Sequence, residues 1–191
     1  DMDIKKLIHF FKDKLAQLPA MRELHDPENS RFVAWWSEVM ATGEEMGEAY
    51  MHRVMRIEFL PAIVSEGGDN SEEFAQAYQR GMDEAEALMR ATIEGLENLQ
   101  RKAEAAKRSP KHAHEVVSPY VALSDEQVKQ VTQAMRLDRY DGQTQRTVKR
   151  LLDELKSGGK DKDAIVDAVT WLAEQQPDAL VAFLLAASHA A

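Results

Sequence analysis

The sequence predicts an all-α protein, and three observations carry that prediction. Glycine (9) and proline (6) are scarce among 191 residues, while Ala, Glu, Gln, Leu, Met, Lys and Arg, which lose little freedom in a helix, are abundant. No β-branched run persists, the best of them, Ile57 to Val64, being interrupted by Pro61. Apolar residues recur at three- and four-residue steps along several segments, the period of a helix with one buried face. The pattern divides into a three-helix N-terminal module with a long helix (residues 1–108), a linker (109–118) and a four-helix C-terminal bundle (119–191).

The first helix spans Lys5 to Leu18, where Leu7, Ile8, Phe10, Phe11, Leu15 and Leu18 keep the helical step, and Pro19 is expected to end it. Asp26-Pro27-Glu28 reads as the next helix start: a capping residue, a proline at the first helical position, then a carboxylate. Phe32, Trp35, Trp36, Val39, Met40, Met46, Tyr50, Val54 and Met55 follow, with a kink or break expected near Gly43 and Gly47. Ile57 to Pro61 should be extended, because the residue before proline avoids the α region. Glu66 to Asn70 is a loop.

Ser71-Glu72-Glu73 opens a helix expected to run to about Arg108, with Phe74, Tyr78, Met82, Ala85, Met89, Leu96, Leu99 and Ala103 in one stripe. The polar, alanine-rich stretch from Gln100 to Arg108 is expected to project beyond the packed part. Ser109 to Ser118, closed by Pro119, lacks periodicity and reads as the linker. Ser124 with Gln127 three residues on is the capping-box arrangement. Helices are expected at about 125–137, 142–157, 161–175 and 177–189, with a core from Val128, Val131, Met135, Val148, Leu151, Leu152, Leu155, Ile165, Val169, Trp171, Leu172, Leu180, Phe183 and Leu184.

Composition excludes several functions. There is no cysteine, so disulfides, thiolate metal sites and cysteine nucleophiles are all out. Asp1 to Lys6 leads into an amphipathic segment and not the apolar core of a signal peptide. The longest apolar stretch, Ala179 to Ala187, is about half of a membrane span, so a cytoplasmic location is expected. The net charge of −9 opposes coating nucleic acid or anionic membrane with the whole surface. It is uneven, with 14 basic and 21 acidic side chains in residues 1–108 but 10 and 12 in 109–191.

No motif of catalysis stands out. His112-Ala113-His114 with Glu115 has metal-ligating side chains, but zinc needs three or four fixed ligands and neither an HExxH pair nor a cysteine pair completes the set. GxSxG and glycine-rich phosphate loops are absent, and His9 and His52 lie on helical faces as structural groups. The expectation is therefore no enzyme, no cofactor, no metal and no small-molecule substrate. A protein partner or a homo-oligomer is expected instead. Trp35 and Trp36 diverge by about 100° on a helix, so one of them is exposed or covers a second element. Nine methionines make an adaptable apolar surface. The candidate interface is Trp35 and Trp36 with Met89, Leu96 and Leu99 on the long helix, and the apolar tail Val181 to Ala187 adds to it.

The alternative partner is DNA. A turn, Asp138 to Gly142, precedes a helix bearing Gln143, Gln145, Arg146, Lys149 and Arg150, and amide and guanidinium groups at a helix start suit major-groove readout. Over residues 124–157 the Thr-Val-Lys-Arg-Leu-Leu run resembles the recognition helix of a helix-turn-helix. A second likeness lies in residues 29–99. Phe32…Trp35, then Ile57-Glu58-Phe59…Pro61, then Phe74…Tyr78…Gly81-Met82…Glu84-Ala85…Leu88 resemble a helical accessory region of bacterial phage-defence and signalling proteins. Glu44 to Gly47 departs from the apolar run expected before the turn. The resemblance implies an accessory or sensor subunit and assigns no functional residue. Taken with the rest of the sequence, the expectation is a non-enzymatic adaptor or assembly subunit of a bacterial cytoplasmic complex.

Overall fold

A computed structural model describes residues 4–190, and among them the chain is helical without a strand. The α-helices are α1 (Ile4–Arg22), α2 (Ser30–Met46), α3 (Glu48–Met55), α4 (Ser71–Ala106), α5 (Pro110–Val117), α6 (Asp125–Met135), α7 (Gly142–Lys156), α8 (Lys162–Gln175) and α9 (Pro177–Ala190). Asp1 to Asp3, which open the segment read as lacking a signal peptide, lie outside the described residues. The chain separates into two compact units, Lys6–Glu94 and Gly95–Ala191 with Asp1–Lys5. The division thus falls inside α4 and not at residue 108.

In the N-terminal unit, α1 runs through Pro19 to Arg22. The proline leaves the Leu15 carbonyl without its helical donor, but Leu18 and Met21 on either side are buried and hold the last turn. The next helix starts later than the Asp-Pro-Glu signal implied. Asp26 accepts from the Glu28 N–H at 2.9 Å in a turn, and Asn29 caps α2 by accepting from the Arg31 N–H. The expected break comes at Gly47, which separates α2 from α3 with φ of 110°, a conformation that suits glycine.

Polar tips tie these helices together while their apolar bodies pack. Phe11 of α1 meets Tyr50 of α3 edge-on at 6.1 Å. Trp35 Nε1 of α2 donates to the Lys14 carbonyl at 3.2 Å, and the buried Lys14 ammonium pairs with Glu38. Tyr50 donates to Thr92 Oγ1 at 3.1 Å, since the Thr92 hydroxyl itself donates to the Leu88 carbonyl. On α4, Tyr78 is fully buried and donates to the Met21 carbonyl. Arg22 reaches Gln79, Asp83 and Glu86 of the same helix.

The C-terminal unit begins within α4, where Leu96, Leu99, Ala103 and Ala106 are buried. The stretch beyond Gln100 therefore packs and does not project. Nor is 109–118 a linker. Ser109 caps α5, Pro110 stands in its first turn, and Ala113, Val116 and Val117 are buried, with α5 packed against α8. The capping box at Ser124 and Gln127 is complete. Asp141 and Asp161 cap α7 and α8, and Gly158 and Gly159, both at positive φ, turn the chain between them. The expected core is buried throughout, except for half-buried Val128 and Trp171. At its centre, α9 is buried on every side from Ala179 to Ala187, as a helix apolar all round must be. Those residues were expected to favour an interface, but α6 and α8 pack against this helix. Among the described residues no helix is long and apolar enough to cross a membrane.

Candidate functional site

The residues expected to meet a partner are mostly committed to the fold. Trp35 is 3% exposed, and Met89, Leu96 and Leu99 are buried as well. A side chain enclosed this way offers a partner no surface, so docking through these four is corrected. Trp36 is half-buried and covers a second element. Its ring stands edge-on to Phe59 at 5.0 Å. The divergence of adjacent helical side chains is thus resolved with Trp35 in the core and Trp36 laid over the segment after α3.

That segment holds the apolar surface that sequence periodicity missed. Phe59 is its anchor: buried, T-shaped against Phe32 at 4.7 Å and tilted against Tyr78 at 6.2 Å. Gly81 on α4 lets it approach, since a Cβ there would lie 2.4 Å from the Phe59 ring and 2.6 Å from the Glu58 carbonyl oxygen. With Phe59 held inward, the residues after it are held outward. Leu60 is 52% exposed, Val64 48% and Ile63 85%. Pro27, Glu58, Phe59, Leu60, Pro61 and Ala62 line an open groove of about 470 Å³. Met55 and Phe74, on the helices bounding the segment, are also exposed. The one available signal was an apolar run in a non-periodic, proline-bearing connection, which has no helical face to turn inward.

The groove's neighbourhood titrates at its buried edge. Burial, with the nearby Asp26 carboxylate, pushes the Tyr78 hydroxyl up to about 12. The acidic loop after Val64 is closed by Asn70, which accepts from the Ser65 N–H at 3.3 Å and donates to the Ser65 carbonyl at 2.9 Å.

The second candidate surface is on α7. Gln143, Arg146, Lys149 and Arg150 are exposed, while Gln145 is half-buried and donates to the Tyr140 carbonyl at 2.8 Å. Arg146 donates to Gln143 Oε1 at 3.1 Å. The Thr144 N–H, 2.7 Å from the Asp141 carboxylate, holds that carboxyl below the usual range. Four of the five expected DNA-facing residues therefore share the solvent side of α7. The helix before it, α6, packs chiefly against α9, and α7 packs chiefly against α8.

His112 and His114 fall on α5, two residues apart and so facing different ways, with His112 Nδ1 2.7 Å from Ser109 Oγ. Among the described residues no three His, Asp or Glu side chains converge as metal ligands would. Comparisons with protein-family models, curated proteins and solved structures find no match to this chain.

Proposed function

We propose that the protein is a non-enzymatic helical adaptor or assembly subunit that docks a protein partner through the exposed apolar segment of its N-terminal unit. The observation that carries this reading is the placement of large exposed apolar side chains. Of the seven among the described residues, all but Val121 belong to the N-terminal unit, and Leu60, Ile63 and Val64 are close in sequence. Large apolar side chains held in water within five residues of one another are what a protein retains where something binds. The likeness of residues 29–99 to phage-defence accessory regions supports placing this role in a bacterial cytoplasmic complex. A photo-crosslinking amino acid at Ile63 should give a discrete product in the native cell, lost on Leu60→Ser, and the same probe at exposed Lys102 should not. If no product forms at position 63 and light scattering gives a single-chain mass at every concentration, the reading fails.

A second reading rests on the shared solvent side of Gln143, Arg146, Lys149 and Arg150, which suits a DNA-binding regulator. It requires duplex DNA to raise the scattering mass at 50 mM salt, the shift to vanish at 500 mM as counterions replace phosphate contacts, and Arg146→Ala/Arg150→Ala to abolish it.

A further inference from the structure

The exposed apolar segment lies in an acidic setting, and the combination specifies the chemistry of what it receives. From Ile57 to Gln79 the chain carries five carboxylates, Glu58, Glu66, Asp69, Glu72 and Glu73, and neither lysine nor arginine. Asn70 folds the loop bearing Glu66 and Asp69 back onto Ser65, beside Val64. Pro27, on the groove's other wall, is bracketed in the chain by exposed Asp26 and Glu28. The N-terminal unit as a whole has nine Lys and Arg against seventeen Asp and Glu, a net −8 of the chain's −9.

We propose that the Leu60–Val64 surface receives a basic amphipathic segment of another protein. Its apolar side chains would lie against Leu60, Pro61 and Ile63, and its Lys or Arg side chains would face Glu58, Glu66 and Asp69. The inference rests on the docking reading above and adds the partner's chemistry to it. Complementary charge steers such an encounter and excludes partners of like charge. A second copy docking through the same face would set these carboxylates against themselves, since a two-fold interface pairs a patch with its own image. Anionic lipid and nucleic acid meet the same repulsion. Arg56 and Arg80, which bound this stretch in the chain, limit where the partner's cations can lie.

The test uses the full chain and a fluorescent peptide of Leu and Lys in helical repeat, roughly four turns or about fourteen residues long, followed by anisotropy beside a twin with Glu for every Lys. The expected result is at least about tenfold tighter binding of the Lys peptide, because like charge is penalised at such a surface. Leu60→Ser/Ile63→Ser, at positions already in water, should weaken it by about tenfold, as loss of a central apolar contact does. Glu58→Gln/Glu66→Gln should also weaken it, whereas Asp163→Asn/Asp167→Asn, removing the same charge from exposed positions on α8, should not. Equal binding of the two peptides, or equal weakening by the α8 pair, would overturn the charge assignment. If the serine pair still weakened binding, the docking reading would stand without it. Binding indifferent to the serine pair would overturn both. No binding of the Lys peptide would overturn this inference, while the crosslink at position 63 judges the docking reading separately.

Discussion

At the scale of single residues, two positions in the N-terminal unit decide more than their size suggests. Tyr78 has an apolar body in the aromatic cluster of Phe32 and Phe59 and a hydroxyl on the Met21 carbonyl. Its pKa of about 12 in the fold exceeds the roughly 10 of an unfolded tyrosine. The fold therefore favours the neutral form. This contribution is complete below about pH 10 and is lost as the pH rises toward 12, a difference on the order of 2–3 kcal/mol. Tyr78→Phe should cost about 1 kcal/mol at neutral pH, the net worth of one hydrogen bond. It should also flatten the loss of stability between pH 10 and 12, as measured by urea unfolding across that range. An unchanged alkaline slope would mean that another group carries it. Gly81 is the second case. The Glu58 carbonyl oxygen, 2.6 Å from an added Cβ, is backbone and cannot swing away as a flexible side chain would. Gly81→Ala should destabilise by about 1–3 kcal/mol through overpacking and release Phe59. Gly95→Ala, with nothing within 4 Å, should be neutral or stabilising in the same helix.

At the scale of elements, α9 bears out one expectation and not another. Leu180, Phe183 and Leu184 were expected in the core and are buried, but Val181 to Ala187 were also expected to add to an interface, because periodicity cannot tell a fully enclosed helix from an apolar run that meets a partner. Phe183 is 0% exposed, so Phe183→Ala should cost about 3–5 kcal/mol. In hydrogen exchange that loss should appear as weaker protection across α6 to α9, whereas a binding-tail residue would leave protection unchanged. What was legible elsewhere follows the range of the forces involved. Caps act within three residues, so Ser124 with Gln127 marked its helix start correctly. A one-faced stripe is also local, and it located α4, α7 and α8. Pro19 misled because its local penalty was outweighed by burial of Leu18 and Met21, which depends on distant partners. Ser109-Pro110 was a correct helix start overlooked in a short polar stretch. The exposed apolar segment was illegible for a related reason. Ile57 to Val64 has the composition of a core strand, and only the anchoring of Phe59 against Phe32, Trp36 and Gly81 turns Leu60 and Ile63 to water.

At the scale of the whole molecule, charge and connectivity make opposing predictions. The N-terminal unit carries −8 and the C-terminal unit −1, so self-repulsion is concentrated in one of them. Salt screens that repulsion, but it also screens the ion pairs of Arg22 with Asp83 and Glu86 and of Arg90 with Glu86. Such partly exposed pairs are each worth about 0–1 kcal/mol, and an excess of eight like charges in a unit of this size outweighs a few of them. Raising salt from 50 to 500 mM should therefore raise the melting midpoint of the N-terminal unit and leave that of the C-terminal unit nearly unchanged. The tryptophans separate the two signals. Trp171→Phe leaves Trp35 and Trp36 to report on the N-terminal unit, and Trp35→Phe/Trp36→Phe leaves Trp171 to report on the other. Against this stands α4, one uninterrupted helix that contributes buried residues to both units, through which the unfolding of one could propagate into the other. Midpoints that diverge with salt would show that packing within each unit dominates over the shared helix. Midpoints that move together would show that α4 makes the chain one cooperative body, in which the partner proposed for Leu60 to Val64 would stabilise the C-terminal unit as well.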